Sequence, residues 1–174
     1  MVITETDRLR IRELTLDDTP PLAEVLGDPE VMRYSLKGVH SVEQTRQYVE
    51  NCIACYAING LGPWALVEKA SSALAGFCGL NPVAVDGVEE MEIGYRLARR
   101  TWGQGLASEA AAAVLAYGFD VKGLSSVVAL IDPGNRASRR VAEKIGFKAF
   151  TDTQYYGLDV RVYRLTSNEW HVGK

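Results

Sequence analysis

Residues 102 to 109 read Trp102-Gly103-Gln104-Gly105-Leu106-Ala107-Ser108-Glu109. Gly103 and Gly105 have no Cβ atom, so the backbone can turn tightly and approach a ligand closely. An alanine-rich run follows and predicts a helix that begins at Leu106. The first amide N–H groups of such a helix have no partner inside it, and they lie at the positive end of the helix dipole. The stretch therefore predicts a cradle for a phosphate group.

The Gly-x-Gly pattern alone is also compatible with an ordinary loop before a helix. A Rossmann fingerprint would require a third glycine where Ser108 stands, and it would normally lie in the first strand-to-helix turn of a βαβ unit. A P-loop would require Gly-Lys-Ser or Gly-Lys-Thr, which is absent. The strand-like run 91–97 before the loop and the segment 135–147 after it favour the phosphate interpretation over the ordinary loop.

The composition is that of an ordinary globular protein, with 174 residues, 47% hydrophobic and 24% charged. This length predicts a single domain, residues 1–174, with one sizeable core. A net charge of −3 without a basic cluster argues against nucleic acid as the main partner. No apolar run approaches the roughly 20 residues of a membrane span, and the first residues lack a signal-peptide core. We therefore expect no membrane association and a cytoplasmic location.

Three cysteines are present, and an odd number does not indicate a disulfide framework. Cys52-x-x-Cys55 could serve redox chemistry or metal binding. However, it lies inside a helical pattern, and the two histidines, His40 and His171, are distant in sequence. We expect a structural role for the cysteines and no metal site.

The apolar pattern alternates between strands and helices along the whole chain. A capping box at Ser41 predicts a helix up to Asn59, with an apolar stripe formed by Val42, Val49, Cys52, Ile53 and Tyr56. The other predicted helices cover about 15–26, 106–122 and 135–145, and the predicted strands cover 8–14, 64–69, 74–80, 88–97, 127–131, 147–152 and 156–165. This order predicts the α+β class, with helices packed on a mixed, mostly antiparallel sheet.

Two residues in this pattern have alternative interpretations. Glu92 lies in the middle of a strand, either in an ion pair on a solvated face or in a cleft that raises its pKa. The pattern alone favours the solvated pair. Tyr34 could line a substrate cleft or pack on the rim of the core, and the pattern favours the rim.

The chain resembles the GNAT superfamily of acetyl-CoA-dependent N-acetyltransferases, and within it the RimJ/RimL-type branch. The resemblance is carried, in order along nearly the whole chain, by Thr6-Asp7-Arg8-Leu9-Arg10-Ile11-Arg12, Asp28-Pro29-Glu30-Val31-Met32-Arg33-Tyr34, Glu92-Ile93-Gly94-Tyr95-Arg96-Leu97, the loop 102–110, Asn135-x-x-Ser138 and Glu143-Lys144-Ile145-Gly146-Phe147. It implies a splayed sheet with helices on both faces and acetyl-CoA as co-substrate, without a metal.

The resemblance also implies where acetyl-CoA binds. The pyrophosphate would lie on the amides from Gly103 to Ser108, and the pantetheine would follow the strand that ends at Leu97. The implied binding residues are Tyr95, Leu97, Trp102, Gly103, Gln104, Gly105, Leu106, Ala107, Ser108, Asn135 and Ser138. The family pattern begins the loop with Gln or Arg, where this chain has Trp102.

A second departure concerns catalysis. Many members have a tyrosine, the acid that protonates the leaving thiolate, where this chain has Ala142. Ser138, or a water molecule that it holds, is the candidate substitute, the alternative being a serine on the helix surface. Glu92 is the candidate general base, acting directly or through water. A thiol with a pKa near 8.5 is a fair leaving group, so the tyrosine is dispensable.

The implied reaction is transfer of acetyl to a primary amine, of a protein or peptide N-terminus or of a small molecule. At pH 7, deprotonation costs about 4.6 kcal/mol for a lysine-like amine and about 1.1 kcal/mol for an α-amine. We expect residues 28–37, 57–64 and 155–159 to form the acceptor pocket, with Tyr34 and Trp64 as contacts. The alternatives are a non-catalytic acyl-CoA-binding regulatory module and a nucleotide-dependent enzyme. A monomer and a homodimer are both compatible with the sequence.

Overall fold

The computed structural model describes all residues, 1–174. The eight strands are β1 Val2–Glu5, β2 Leu9–Glu13, β3 Pro63–Glu68, β4 Leu74–Val85, β5 Val88–Leu97, β6 Ser126–Ile131, β7 Phe150–Tyr155 and β8 Leu158–Thr166. The α-helices are α1 Thr19–Leu26, α2 Val42–Asn59, α3 Leu106–Ala116, α4 Arg136–Lys144 and α5 Ser167–Val172. Two 3₁₀ turns, Leu16–Asp18 and Arg99–Thr101, and a π-helical turn, Tyr117–Val121, complete the chain.

All eight strands form one sheet in the order β1-β2-β3-β4-β5-β6-β8-β7. Every neighbouring pair is antiparallel except β5 and β6, which are parallel and share a single register pair, Glu92 with Val128. Beyond that pair the two strands separate, and the carboxyl-terminal half of β5 is left without a partner on that side. The predicted α+β class and mixed, mostly antiparallel sheet are confirmed.

The long helix α2 has the ends that the sequence predicts. The Ser41 hydroxyl accepts a hydrogen bond from the Gln44 amide, and the Gln44 side chain accepts one from the Ser41 amide. Gly60 ends the helix in the left-handed conformation, with a φ of 69°. The predicted apolar stripe is too wide, since Val42 and Ile53 are exposed.

Helices cover both faces of the sheet. On one face α3 and α5 pack over a large core that includes Leu66, Leu115 and Tyr163. On the other face α1 and α2 pack over a smaller core, and α1 contacts both β4 and β5. None of the helices combines the length and the apolar composition that a membrane span requires.

The closing hairpin differs from the prediction. Its strands turn at Tyr156 and Gly157, which both have a positive φ, rather than between 152 and 156. Two consecutive residues of positive φ form the tight turn that suits the twist of a hairpin. Helix α5 was not predicted, although Thr166 and Glu169 form a capping box before it. Strand β4 also extends to Val85 rather than ending at Leu80.

Candidate active site

The loop before α3 presents a run of free backbone amides. Gly103 and Gly105 have φ angles of 73° and 78°, and Gly105 is the N-terminal cap of α3 without any side-chain cap. None of the six amide N–H groups from Gly103 to Ser108 donates to an acceptor within the protein. A Cβ atom at Gly103 would meet no heavy atom within 4 Å. The loop thus has donors, open space and a helix N-terminus, which suit an anionic group such as a diphosphate.

The amino-terminal segment holds this loop in place. The Arg8 guanidinium donates to the Gln104 carbonyl at 2.8 Å and to the Glu109 carboxylate at 2.7 Å. Thr6 and the Arg8 amide donate to the same carboxylate. Although burial favours its protonation, these hydrogen bonds hold the pKa of Glu109 below its usual value. The negative charge in the first turn of α3 is therefore neutralised by Arg8 and turned away from the free amides.

The edge of β5 is the second part of the site. The Ala98 amide donates to the Ala75 carbonyl, and β4 pairs with β5 without interruption from there. Because hydrogen-bonded pairs alternate along an antiparallel ladder, the main-chain groups of Tyr95 and Leu97 point away from β4, toward the opening beside β6. The Tyr95 carbonyl accepts a hydrogen bond from Arg96 Nη1, and the Leu97 carbonyl accepts one from Trp102 Nε1, each at 2.9 Å.

A cavity of about 540 Å³, here called the main cleft, joins the loop to the edge of β5. All of the predicted cofactor-binding residues line it except Gln104, which lies on the other side of the loop. Glu30 and Val31, from the predicted acceptor segment 28–37, also line it; sequence reasoning missed Thr101, Ala137, Arg140, Val141 and, most important, Arg96. A signal for Arg96 was present, because it shares a strand face with Glu92.

A smaller cavity of about 80 Å³, here called the split, lies where β5 and β6 separate. Glu92, Ser138 and Ala142 line it, and Ser138 lines the main cleft as well. Glu92 is mostly buried and forms no ion pair. Burial raises the pKa of Glu92 to about 7, and Arg96 opposes that shift. The interpretation of Glu92 as half of a solvated ion pair is therefore wrong, and the cleft interpretation describes its position.

Helix α4 places Ser138 at the junction of the two cavities. Asn135 caps the helix, because its side-chain oxygen accepts a hydrogen bond from the Ser138 amide at 3.1 Å. The Tyr95 hydroxyl donates to the Ser138 carbonyl at 3.4 Å, and a hydrogen bond with the Ser138 side chain acts to lower the Tyr95 pKa. Burial raises the pKa of Tyr95 to about 12. At the position of the missing tyrosine, the Ala142 methyl group is 2% exposed and offers no proton.

The two predicted acceptor contacts have different positions. Tyr34 lines the main cleft, and its hydroxyl donates to the Gly134 carbonyl at 3.1 Å, so that segment 28–34 reaches across to the loop before α4. Trp64 is fully buried and packs edge-on against Tyr117 at 5.4 Å, on the opposite face from Glu92. Trp64 therefore contacts no acceptor, and that prediction is wrong.

The cysteines are all free, and Cys52 and Cys78 are buried. Burial raises the pKa of Cys52 to about 12 and raises that of Cys78 further, so neither is a nucleophile at neutral pH. No three His, Cys, Asp or Glu side chains lie close enough together to hold a metal ion.

Comparisons with known proteins agree with this geometry. The family model described as "Acetyltransferase (GNAT) domain" matches residues 8–148. The uncharacterized protein YkkB of Bacillus subtilis is 39% identical over 93% of this chain and 94% of its own length. The uncharacterized N-acetyltransferase YoaA of the same organism is 33% identical over 84% of this chain and 82% of its own.

Among solved structures, a GNAT-family acetyltransferase from Bacillus anthracis superposes with a TM-score of 0.82. It is 28% identical and covers 97% of this chain and 99% of its own. These matches exclude the alternative of a nucleotide-dependent enzyme. The chain belongs to the GNAT family and is an acetyl-CoA-dependent N-acetyltransferase.

Proposed function

We propose that this enzyme transfers acetyl from acetyl-CoA directly to a primary amine, with both substrates bound at once. The observation that supports this most is the split between β5 and β6. It connects the main cleft, with its six free amides, to the Glu92 carboxylate on the other side of the sheet. A thioester in the split would therefore face a base across the sheet.

The main cleft fits the shape of coenzyme A. The amides from Gly103 to Ser108 would hold the diphosphate, and the main-chain groups of Tyr95 and Leu97 would bind the pantetheine amides. The two carbonyls already accept hydrogen bonds from Arg96 and Trp102, but a carbonyl oxygen has a second lone pair. Trp102 would act here by fixing the end of β5 rather than by binding phosphate through a charge.

Glu92 has the properties of a general base at neutral pH. With a pKa of about 7, roughly half of its carboxyl groups are ionised at that pH and can accept a proton from the acceptor ammonium or from an intervening water. An α-amine needs about 1.1 kcal/mol for its deprotonation and a lysine-like amine about 4.6 kcal/mol. A base of this strength suits an acceptor of the first kind.

Ser138 is placed to assist the departing thiolate. Ser138 lines both cavities, so its hydroxyl can donate a hydrogen bond at the junction where the sulfur would lie. Because the thiol has a pKa near 8.5, a hydrogen-bond donor suffices and a strong acid is not needed. The buried cysteines play no part, and no covalent intermediate on the protein is required.

The test is release of free coenzyme A thiol from a mixture of enzyme, acetyl-CoA and a panel of amines. The panel contains peptide N-termini, amino acids, polyamines and aminoglycosides, and mass spectrometry identifies the acetylated product. We expect release that depends on at least one amine. No release above the rate of spontaneous hydrolysis with any member would contradict the proposed function.

A second candidate function is a regulatory module that binds acyl-CoA without turnover. It is favoured by Ala142, which leaves the split without the usual acid. Under this alternative coenzyme A binds tightly by calorimetry, while the amine panel gives no product. Glu92→Gln and Ser138→Ala would then leave the background thiol release unchanged.

A further inference from the structure

Three residues of β5 form an unusual arrangement on the face of the sheet opposite α3. Glu92, Gly94 and Arg96 alternate onto this face, because side chains along a strand point to opposite sides in turn. A Cβ atom at Gly94 would meet no heavy atom within 4 Å, not even from Glu92 or Arg96. An open space over Gly94 is therefore flanked by a carboxylate on one side and a guanidinium on the other.

Arg96 has few partners for a half-buried cation. It forms no ion pair, and its only hydrogen bond within the protein runs from Nη1 to the Tyr95 carbonyl. A guanidinium has five N–H donors, so most of them are unused. Burial lowers the pKa of Arg96, although Tyr48, Glu92 and Tyr95 nearby oppose that shift. By contrast, Arg8, Arg12 and Arg100 each form an ion pair with a carboxylate of this chain.

Glu92 is unpaired in the same way. The two charges lie four residues apart on one strand, about 13 Å between Cα atoms, and they do not pair with each other. Both charges are partly withdrawn from solvent and have no counter-ion in this chain, so a ligand of matching charge is favoured here. A molecule with an amine at Glu92 and an anionic group at Arg96 would compensate both charges.

The space over Gly94 is connected to the reacting centre. Arg96 lines both the main cleft and the split, and Glu92 and Gly94 line the split. Glu30, Tyr34 and Arg140 line the part of the main cleft that is open to solvent. A small acceptor could therefore enter past these residues and contact Arg96 beside the thioester.

We propose, on the basis of the acetyl transfer proposed above, that the acceptor is a small amino acid-like molecule that carries a carboxylate as well as the reactive amine. Arg96 binds the carboxylate through its planar fork of donors, which matches a carboxylate in two hydrogen bonds. Glu92 faces the amine. Polyamines, which bring further positive charge and no carboxylate, are disfavoured by Arg96.

The test compares acceptors in matched pairs. A panel of α- and ω-amino acids is assayed beside the corresponding carboxamides, with kcat/KM calculated on the concentration of neutral amine. We expect the wild-type enzyme to prefer the carboxylate member by about tenfold or more, the range of a hydrogen bond to a charged group. The preference is a ratio within one enzyme, so effects on folding or on coenzyme A binding cancel.

Variants of Arg96 assign the preference to this side chain. In Arg96→Gln we expect the ratio to fall to within about twofold of unity, and in Arg96→Lys, which keeps the charge without the fork, an intermediate ratio. The matched control is Arg46→Gln on the exposed side of α2, which should keep the wild-type ratio.

The outcomes separate this inference from the proposed function. Equal rates for carboxylates and carboxamides, or acetylation of peptide N-termini and polyamines alone, would overturn the carboxylate site while acetyl transfer to amines stands. A preference that survives in Arg96→Gln would overturn the role of Arg96. Absence of thiol release with every amine would overturn both the acceptor class and the reaction.

Discussion

The loop before α3 and the face of β5 that carries Glu92 and Arg96 meet at the main cleft, but the loop offers main-chain atoms and β5 offers side chains. The six amides from Gly103 to Ser108 need only a backbone conformation, so Trp102 can replace Gln or Arg without removing a donor. On β5, the roles that we propose depend on the identity of Glu92 and Arg96, which line the split. Under the proposed function, the binding of acetyl-CoA would tolerate sequence change, whereas the choice of acceptor would follow from a few side chains.

The largest effect on activity is expected from a substitution on β5. Glu92→Gln should lower kcat/KM for the acceptor by about 10²- to 10³-fold at pH 7, because it removes the general base. In the wild type, kcat/KM on the neutral-amine basis should rise as the pH passes about 7 and the carboxylate ionises. The variant should lack this rise, which steady-state assays over roughly pH 5.5 to 9 would detect.

Glu89→Gln is the matched control, since Glu89 lies on the same strand but is exposed. It should keep both the rate and the pH profile of the wild type. An unchanged pH profile in Glu92→Gln would assign the base to another group.

Glu92→Gln should stabilise the folded protein at neutral pH, although it lowers activity. Burial raises the pKa of Glu92 from 4.5 to about 7, so the folded protein binds more protons than the unfolded chain between these values. Stability is therefore lost as the pH rises through this window, by about 2–3 kcal/mol. Urea unfolding should show Glu92→Gln to be more stable than the wild type above pH 7 and little different at pH 4.5.

A wild type whose free energy of unfolding matches that of Glu92→Gln at both pH values would mean that Glu92 is solvated. Glu92 would then not destabilise the fold, and β5 would no longer differ from the loop before α3 in this respect.

At the main-chain end, Gly105→Val should weaken coenzyme A binding by about 10- to 100-fold, because a branched residue is strained at positive φ and intrudes on the phosphate position. Calorimetry gives the dissociation constant. Gly157→Val is the matched control, since Gly157 has a φ of 75° in the distant hairpin. It should reduce stability similarly and leave coenzyme A affinity intact. If the two variants bound coenzyme A with equal affinity, the loop would not be part of the binding site.

The smallest effect is expected at Ser138, where the main cleft and the split join. Ser138→Ala should lower kcat by about tenfold, the value of one hydrogen bond to a developing charge. The KM for acetyl-CoA should change little. Ser125→Ala, at an exposed serine outside the site, controls for the substitution itself. If kcat is unchanged in Ser138→Ala, this serine is a helix-surface residue, and only water donates a hydrogen bond to the thiolate.

The same contrast explains what could be predicted from the sequence. The loop, its helix and the capping box at Ser41 are local patterns, and the structure has them where the sequence places them. The split could not be derived locally, because it depends on which strands pair and where β5 and β6 separate. Trp64 was misassigned for the same reason, since only the packing of α3 shows that its face of the sheet is covered.

The charge pattern of β5 was visible, but its meaning was not. Alternation placed Glu92 and Arg96 on one face, which is equally typical of a solvated strand. Only the missing ion pairs and the open space over Gly94 distinguish a site from a surface.

The most direct test is a crystal structure of the protein with coenzyme A. We expect the diphosphate oxygens at about 3 Å from the amides of Gly103 to Ser108, and the sulfur in the split beside Ser138, on the path to Glu92. A diphosphate bound away from this loop, or a sulfur that does not reach the split, would contradict the account.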